Sequence, residues 1–302
     1  MRTLRTVAEL RAELAPARAA GSTIGLVPTM GALHAGHESL IARAREQCGQ
    51  VVVSLFVNPT QFNQSADLEH YPRTERHDAT LAAAGGADVL FAPSPREVYP
   101  PGFSTQVRVL DLTERLEGAA RGAEHFHGVT TVVTKLLCMT APDVAYFGQK
   151  DAQQVMVIRR LVTDLNIPVR IEVCPTVREF DGLALSSRNV HLDRSERERA
   201  TALYRALQSA SDLAKEGEQS AAVLVRSAAE QLRSVGITPE YLTLLDAHSL
   251  QPLSTLDRPG LMALAAHIGK TRLIDNVVLH PLPTSPSGSD QTEREALARC
   301  TV

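Results

Sequence analysis

The sequence predicts an α/β protein, with a doubly wound parallel sheet followed by a smaller α+β domain. Short apolar runs without polar alternation recur in the first half, as strands buried on both faces require. Amphipathic helical stretches separate these runs, and Gly, Pro and Asn punctuate the joins. Beyond about residue 176 the strand–helix alternation stops.

Residues 1–20 alternate charge with Leu and Ala and read as one amphipathic helix. A strand over 23–27 follows, closed by Pro28, and then a helix over 37–48. The run 51–57 is apolar throughout, a buried strand ended by Asn58 and Pro59. Next come a helix over 75–84, stopped by Gly85 and Gly86, and a strand over 88–91. The proline-rich stretch 92–102 reads as irregular. A helix over 127–139, a strand over 144–147, a helix over 152–164 and a strand over 169–173 complete the alternation. Helices over 194–213 and 220–235, then β-like segments at 241–245, 261–267 and 272–279, form the second domain. The expected division is 1–176, 177–281, and a disordered tail over 282–302 rich in Pro, Ser and Gly. In such a sheet ligands bind at the carboxyl ends of the strands.

Composition narrows the function. The chain has 302 residues, 44% hydrophobic and 22% charged, as a globular protein does. Trp is absent and aromatics make up 4%, so base stacking has little to work with. A net charge of −3 argues against a broad nucleic-acid footprint, yet 31 Lys and Arg leave room for a local anion pocket. Cys48, Cys138, Cys174 and Cys300 form no CxxC pair, and the N-terminus lacks the apolar segment of a secretory signal. No apolar run approaches the roughly 20 residues of a membrane span. The expected compartment is the cytoplasm.

Four segments carry chemistry, and each follows a predicted strand. In Pro28-Thr-Met-Gly-Ala-Leu-His-Ala-Gly-His37, His34 and His37 lie i, i+3 across a turn that opens a helix. Gly36 permits close approach, and the helix N-terminus adds free amides and partial positive charge. That combination suits a nucleotide triphosphate. A simple helix cap is the plainer alternative, and a zinc site would need a third ligand that is not evident nearby. In Phe56-Val-Asn-Pro-Thr-Gln-Phe62, Gln61 offers uncharged donors and an acceptor for a hydroxylated acid. In Phe147-Gly-Gln-Lys-Asp151, Gly148 would admit a ligand, Lys150 could meet a phosphate, and Asp151 could accept from ribose hydroxyls or cap the next helix. Leu185-Ser-Ser-Arg188 reads as a phosphate-gripping loop or as an inter-domain hinge.

This ordered set resembles the pantothenate synthetase (pantoate–β-alanine ligase) family. The resemblance runs from the first strand through Gly269-Lys-Thr-Arg-Leu-Ile-Asp-Asn276, and includes Tyr71-Pro-Arg-Thr74 and Thr176-Val-Arg-Glu179. It implies a Rossmann-like sheet of the HxGH nucleotidyltransferase type with a smaller α+β C-terminal domain. It also implies an ATP-dependent ligase that condenses (R)-pantoate with β-alanine through a pantoyl adenylate, releasing AMP and pyrophosphate.

Carried over by position, the resemblance gives ATP contacts to Met30, Gly31, Ala32, Leu33, His34, Ala35, Gly36 and His37. It gives further ATP contacts to Gly148, Gln149, Lys150 and Asp151, to Val177 through its backbone, and to Leu185, Ser186, Ser187 and Arg188. Gln61 matches a contact to pantoate and β-alanine, and Gln154 a second contact to pantoate. His34, His37, Lys150 and Arg188 would carry catalysis, with His37 in the place of the family's proton donor. A Mg²⁺ helper ion is implied, with Asp78 as its outer-sphere partner, and so is a homodimer. The stretch from Arg121 to His125 is one residue longer than the family pattern, which leaves the register of Arg121 open.

Rival readings are a nucleotidylyltransferase, an aminoacyl-tRNA synthetase and a catalytically silent nucleotide-binding module. The first has no use for a glutamine-lined second cavity. The second would need an anticodon-binding domain and a basic RNA surface. The third could have dispensed with Lys150 or His37, and both are present.

Overall fold

The first residues do not join the helix expected over 1–20. In the computed structural model, which describes residues 1–62 and 65–282, they form an edge strand, β1 (Arg2–Leu4). It pairs in parallel with a later strand through Leu4, which is buried, and helix α1 (Val7–Ala19) starts only after Thr6. Thr6 caps that helix and Glu9 returns the bond, a reciprocal capping box that fixes the start where helical periodicity alone could not.

From there β2 (Ile24–Thr29), α2 (Ala35–Gln47) and β3 (Gln50–Leu55) follow the expected alternation. The short α3 (Ser65–His70) precedes α4 (Glu75–Ala84) and β4 (Val89–Phe91). The stretch expected to be irregular over 92–102 holds one four-residue helix, α5 (Pro95–Val98), capped by Ser94. A break at Gly122 separates α6 (Glu117–Arg121) from α7 (Ala123–Thr140), which begins four residues ahead of the expected start. Then come β5 (Val144–Gly148), α8 (Ala152–Asp164) and β6 (Arg170–Cys174). The six strands form one parallel sheet in the order β1-β4-β3-β2-β5-β6.

That order reverses direction between β2 and β5, the switch point where ligands bind in such sheets. The register shows how the crevice opens. β2 pairs with β5 only at Gly25 and Leu26 but stays paired with β3 as far as Thr29. Pro28, which has no N–H to donate, sits where β2 has already parted from β5, so the sheet loses no bond there. Apolar clusters cover both faces, one centred on Leu26, Val52, Leu136 and Ile158, the other on Val27, Ile41, Val53 and Leu90.

The second part of the chain holds α9 (Arg194–Lys215) and α10 (Ala221–Arg233), then an antiparallel sheet of β7 (Pro239–Asp246), β8 (Gly260–Ile268) and β9 (Thr271–Leu279). Both faces of β8 are buried. Met262, Leu264, Ala266 and Ile268 pack with α9 and α10, whereas Leu261 and Ala263 pack with Ala152, Met156 and Val157 of α8. An apolar cluster thus crosses the boundary expected near residue 176. Beyond Leu282, the tail expected over 282–302 lies outside the described residues. Among the described residues no helix is long and apolar enough to cross a membrane.

Candidate active site

The carboxyl ends of β2 and β5 deliver two turns to one cleft of about 340 Å³. The first turn joins β2 to α2. Gly31 and Ala32 both take positive φ, +89° and +51°, reversing the chain before the helix starts. Asp78, buried on α4, clamps the reversal: its carboxylate accepts from the amides of Ala32 at 3.1 Å and Leu33 at 2.8 Å, and from the Thr74 hydroxyl at 3.1 Å. The acid expected beside Mg²⁺ therefore holds the turn together, and it lines a separate hollow behind it with Gly31.

His34 caps α2. Its Nδ1 accepts from the Gly36 amide at 3.1 Å, which assigns the ring proton to Nε2. A Cβ on Gly36 would lie 2.8 Å from the His34 ring, so this contact requires glycine. The His37 ring lies 4.3 Å from that of His34, centroid to centroid. Burial, and next the charge His34 could carry, push the His37 pKa down to about 4. Burial and Lys150 lower that of His34. Both imidazoles are neutral at pH 7 in the ligand-free protein, so His37 enters as a hydrogen-bonding group. Its buried Nδ1 has no protein partner.

The second turn joins β5 to α8 as a single 3₁₀ turn, Gln149–Asp151. Gly148 has extended backbone that any residue could adopt, and a Cβ there would meet no protein atom. Asp151 stands at the N-cap of α8 without capping it, which leaves its carboxylate available. Lys150 Nζ lies 3.8 Å from it.

The third wall is the 3₁₀ turn Pro59–Gln61 after β3. Gly128 of α7 lets it approach closely: a Cβ there would sit 2.5 Å from the Thr60 carbonyl oxygen. Asn58 Nδ2 donates to Gly128 O and to Gln61 Oε1, both at 3.1 Å, and a His125 ring nitrogen bonds the Gln61 carbonyl at 2.9 Å. Gln61 is thereby oriented toward the cleft. Gln154, on the first turn of α8, lines the same cavity.

The fourth wall is the loop after β6, where Val177 O accepts from the Leu185 amide at 3.0 Å. Ser186 caps the 3₁₀ turn Ser187–His191 through the Arg188 amide. Arg188 keeps much of its surface accessible in the open cleft, yet the cleft walls and then Arg121 lower its pKa. Two guanidiniums thus face one space.

Of the residues expected at the site, Met30, His34, Gly36, His37, Gln61, Gly148, Lys150, Asp151, Gln154, Val177, Leu185, Ser186, Ser187 and Arg188 line this one cleft. Gly31, Ala32, Leu33, Ala35 and Gln149 shape the turns without lining it, and Asp78 lies behind them. Sequence reasoning missed Asn58, Tyr71, Glu117, Tyr241 and Asn276, which line it as well. It also left Arg121 and His125 unplaced. The positive φ of Gly122, +82°, ends α6 and absorbs the longer segment, so both reach the cleft. Among the described residues no three His, Cys, Asp or Glu side chains cluster to hold a metal, and the oxygens of Asp78 are occupied.

Comparison with known proteins follows the same lines. The family described as pantoate-beta-alanine ligase matches residues 2–278. A pantothenate synthetase of Cereibacter sphaeroides is 55% identical over 274 residues, covering 91% of this chain and 98% of that protein. One from Moorella thermoacetica is 51% identical over 280 residues, covering 92% and 99%. A pantothenate synthetase structure from Thermus thermophilus superposes with a TM-score of 0.87 at 46% identity, covering 93% of this chain and 100% of that one. The pantoate-beta-alanine ligase from Francisella tularensis, complexed with beta-gamma ATP and beta-alanine, gives 0.74 at 38% identity, covering 95% and 100%. Matched by the family over residues 2–278, and with its cleft lined by the motifs that drew the resemblance, this chain belongs to the pantoate–β-alanine ligase family.

Proposed function

We propose that this chain condenses (R)-pantoate with β-alanine at the expense of ATP, forming pantothenate, AMP and pyrophosphate through a pantoyl adenylate. One observation carries the reading. A single cleft is lined by a cation group, Lys150, Arg188 and Arg121, and by uncharged amides, Gln61, Asn58 and Gln154, which give it a first and a second kind of wall. Phosphates suit the first. A small hydroxylated carboxylate suits the second, because neutral amides bind it without neutralising the charge it needs as a nucleophile.

A carboxylate does not react with an amine at neutral pH, since its leaving group would be an oxide. Adenylation turns that oxygen into part of a mixed anhydride. The pantoate carboxylate, held by Gln61 and Gln154, attacks the α-phosphorus and expels pyrophosphate. Lys150, Ser187, Arg188 and the neutral N–H donors of His34 and His37 offset the growing charge. The β-alanine amine then attacks the acyl carbon, and AMP leaves. No side-chain nucleophile is needed, so the site works by positioning and electrostatics. Mg²⁺, arriving with the nucleotide, would offset phosphate charge alongside Lys150 and Arg188.

The reading includes a cytoplasmic location and a homodimer. Cys138 is exposed and unpaired, which suits a reducing compartment. The stretch 103–110 belongs to no helix or strand, and Leu110, 69% exposed, gives a second copy an apolar contact.

The test is isotopic exchange between ATP and pyrophosphate. It should depend on pantoate and proceed without β-alanine. Exchange that also required the amine would rule out a free-standing adenylate. Light scattering on the purified chain checks the dimer, for which a monomeric mass would be the contrary result.

A further inference from the structure

Strand β9 belongs to the small sheet, yet its side chains are bonded to three segments that build the cleft. Alternation along the strand sorts them. Arg272, Ile274 and Asn276 share the face toward α8, because their partners on β8 are His267, Ala265 and Ala263. Arg272 donates to both carboxylate oxygens of Glu117 on α6, each at 2.8 Å. Asp275, on the opposite face, accepts two bonds from Arg178, at 2.6 and 3.0 Å, in the loop that leads to Leu185 and Arg188.

Asn276 holds the third segment, the turn that carries Lys150. Its Nδ2 donates to the carbonyl of Lys150 at 2.9 Å and to that of Gln149 at 3.1 Å, while its Oδ1 accepts from Gln149 Nε2 at 2.9 Å. Two carbonyl acceptors on one side and an amide donor on the other leave no ambiguity about which amide atom is nitrogen. The side chain is buried, and the sheet register fixes it opposite Ala263. No capping bond from Asp151 steadies this turn from within its own domain.

We propose that Asn276 is a positioning residue for Lys150, through which the second domain sets the ammonium where the α-phosphate reacts. The inference rests on the adenylation reading above. Asn276 touches no reacting atom. It fixes the backbone from which Lys150 extends, so the cationic wall of the cleft is complete only while the small sheet is docked. Loss of this hold lets the turn drift, and a displacement near 1 Å lowers a rate by about a hundredfold.

The experiment is a double-mutant cycle in pantoate-dependent ATP–pyrophosphate exchange, using the full chain with Asn276→Ala, Lys150→Ala and both. Alone, Asn276→Ala should lower kcat by roughly ten- to a hundredfold with the KM for pantoate unchanged. In the Lys150→Ala background it should cost less than about twofold more, since the residue it positions is gone. The same fold-loss in both backgrounds, or a raised KM with kcat intact, would overturn the proposal. Asn276→Asp turns a donor into a third oxygen facing two carbonyls, and serves as the second variant should the alanine chain fold poorly. Its loss of kcat should likewise vanish without Lys150, and persistence there counts against the proposal. Deuterium uptake by the amides of 148–151 gives a readout independent of activity. Faster uptake in the Asn276 variant supports the hold, and unchanged uptake refutes it, even if the wild-type chain shows no exchange and the adenylation reading itself fails.

Discussion

The two turns that meet at the switch point are held in opposite ways. The turn from β2 to α2 is secured beside its own sheet, by two amide bonds to Asp78, which Thr74 also holds, and by the His34 cap. The turn from β5 to α8 is secured from outside, by Asn276 of the small sheet. The first is held by groups next to it in the parallel sheet's own layer. The second depends on contact with the antiparallel sheet. In the proposed reaction this splits labour between a locally fixed cradle for the triphosphate and a cation whose placement follows the small sheet.

The largest expected effect lies on the docked side. Lys150→Ala removes a charge-stabilising donor and should lower the rate of adenylation by about a hundred- to a thousandfold, read as pantoate-dependent exchange. Thermal stability should change little, because among the described residues its ammonium forms one ion pair, with Asp151 at 3.8 Å. A large loss of stability would mean that the lysine is structural and the contrast misplaced.

On the locally fixed side the balance should invert. Asp78→Ala strands the amides of Ala32 and Leu33, the second of them in a buried bond, and should cost about 2 kcal/mol of folding stability in urea unfolding. A stability unchanged within error would show that the left-handed pair at Gly31 and Ala32 needs no clamp. A smaller, local effect is expected at Gly128→Ala. The new methyl meets the Thr60 carbonyl at 2.5 Å and the Gln61 amide at 2.7 Å, so the turn must move. That should cost about 1–2 kcal/mol by overpacking and raise the KM for pantoate, leaving ATP affinity in place. An unchanged KM would detach Gln61 from acid binding.

What the sequence revealed and what it hid divide along the same line. The parallel sheet and both turns were legible, because buried parallel strands and the Gly and His residues after them leave local patterns; the strand order that places the switch point was not. Contacts that join distant segments leave none. Asp78 entered as an outer-sphere Mg²⁺ partner because the family resemblance implied it, and only its placement under Ala32 and Leu33 shows the backbone it also holds. Asn276 looked like part of a tail-end motif, since nothing in residues 269–276 announces a bond to residue 150. The edge strand Arg2–Leu4 was hidden for a related reason: three residues carry no period, and their partner lies at Val89–Phe91. Arg121 was placed only once Gly122 proved to break the helix.

The smallest effect tests the chemical state of the cradle. Burial holds the His37 pKa at about 4, against an ordinary value of 6.5. Between these values the unfolded chain binds a proton that the folded chain refuses, so stability falls as pH drops through this window and is complete above about 6.5. From pH 7 to 5.5 this group should remove about 1 kcal/mol. His34 and His125, also lowered chiefly by burial, act in the same direction. Glu117 does not interfere. Its pKa is held near 2, where bonds from Arg272 and Arg121 outweigh burial, so its contribution is lost only as pH falls below about 4.5. His37→Gln keeps a neutral hydrogen-bonding group and should flatten the pH dependence of urea unfolding between 7 and 5.5. An equally steep profile in the variant would mean that the ring is solvated and titrates normally, and the neutral cradle would have to be given up.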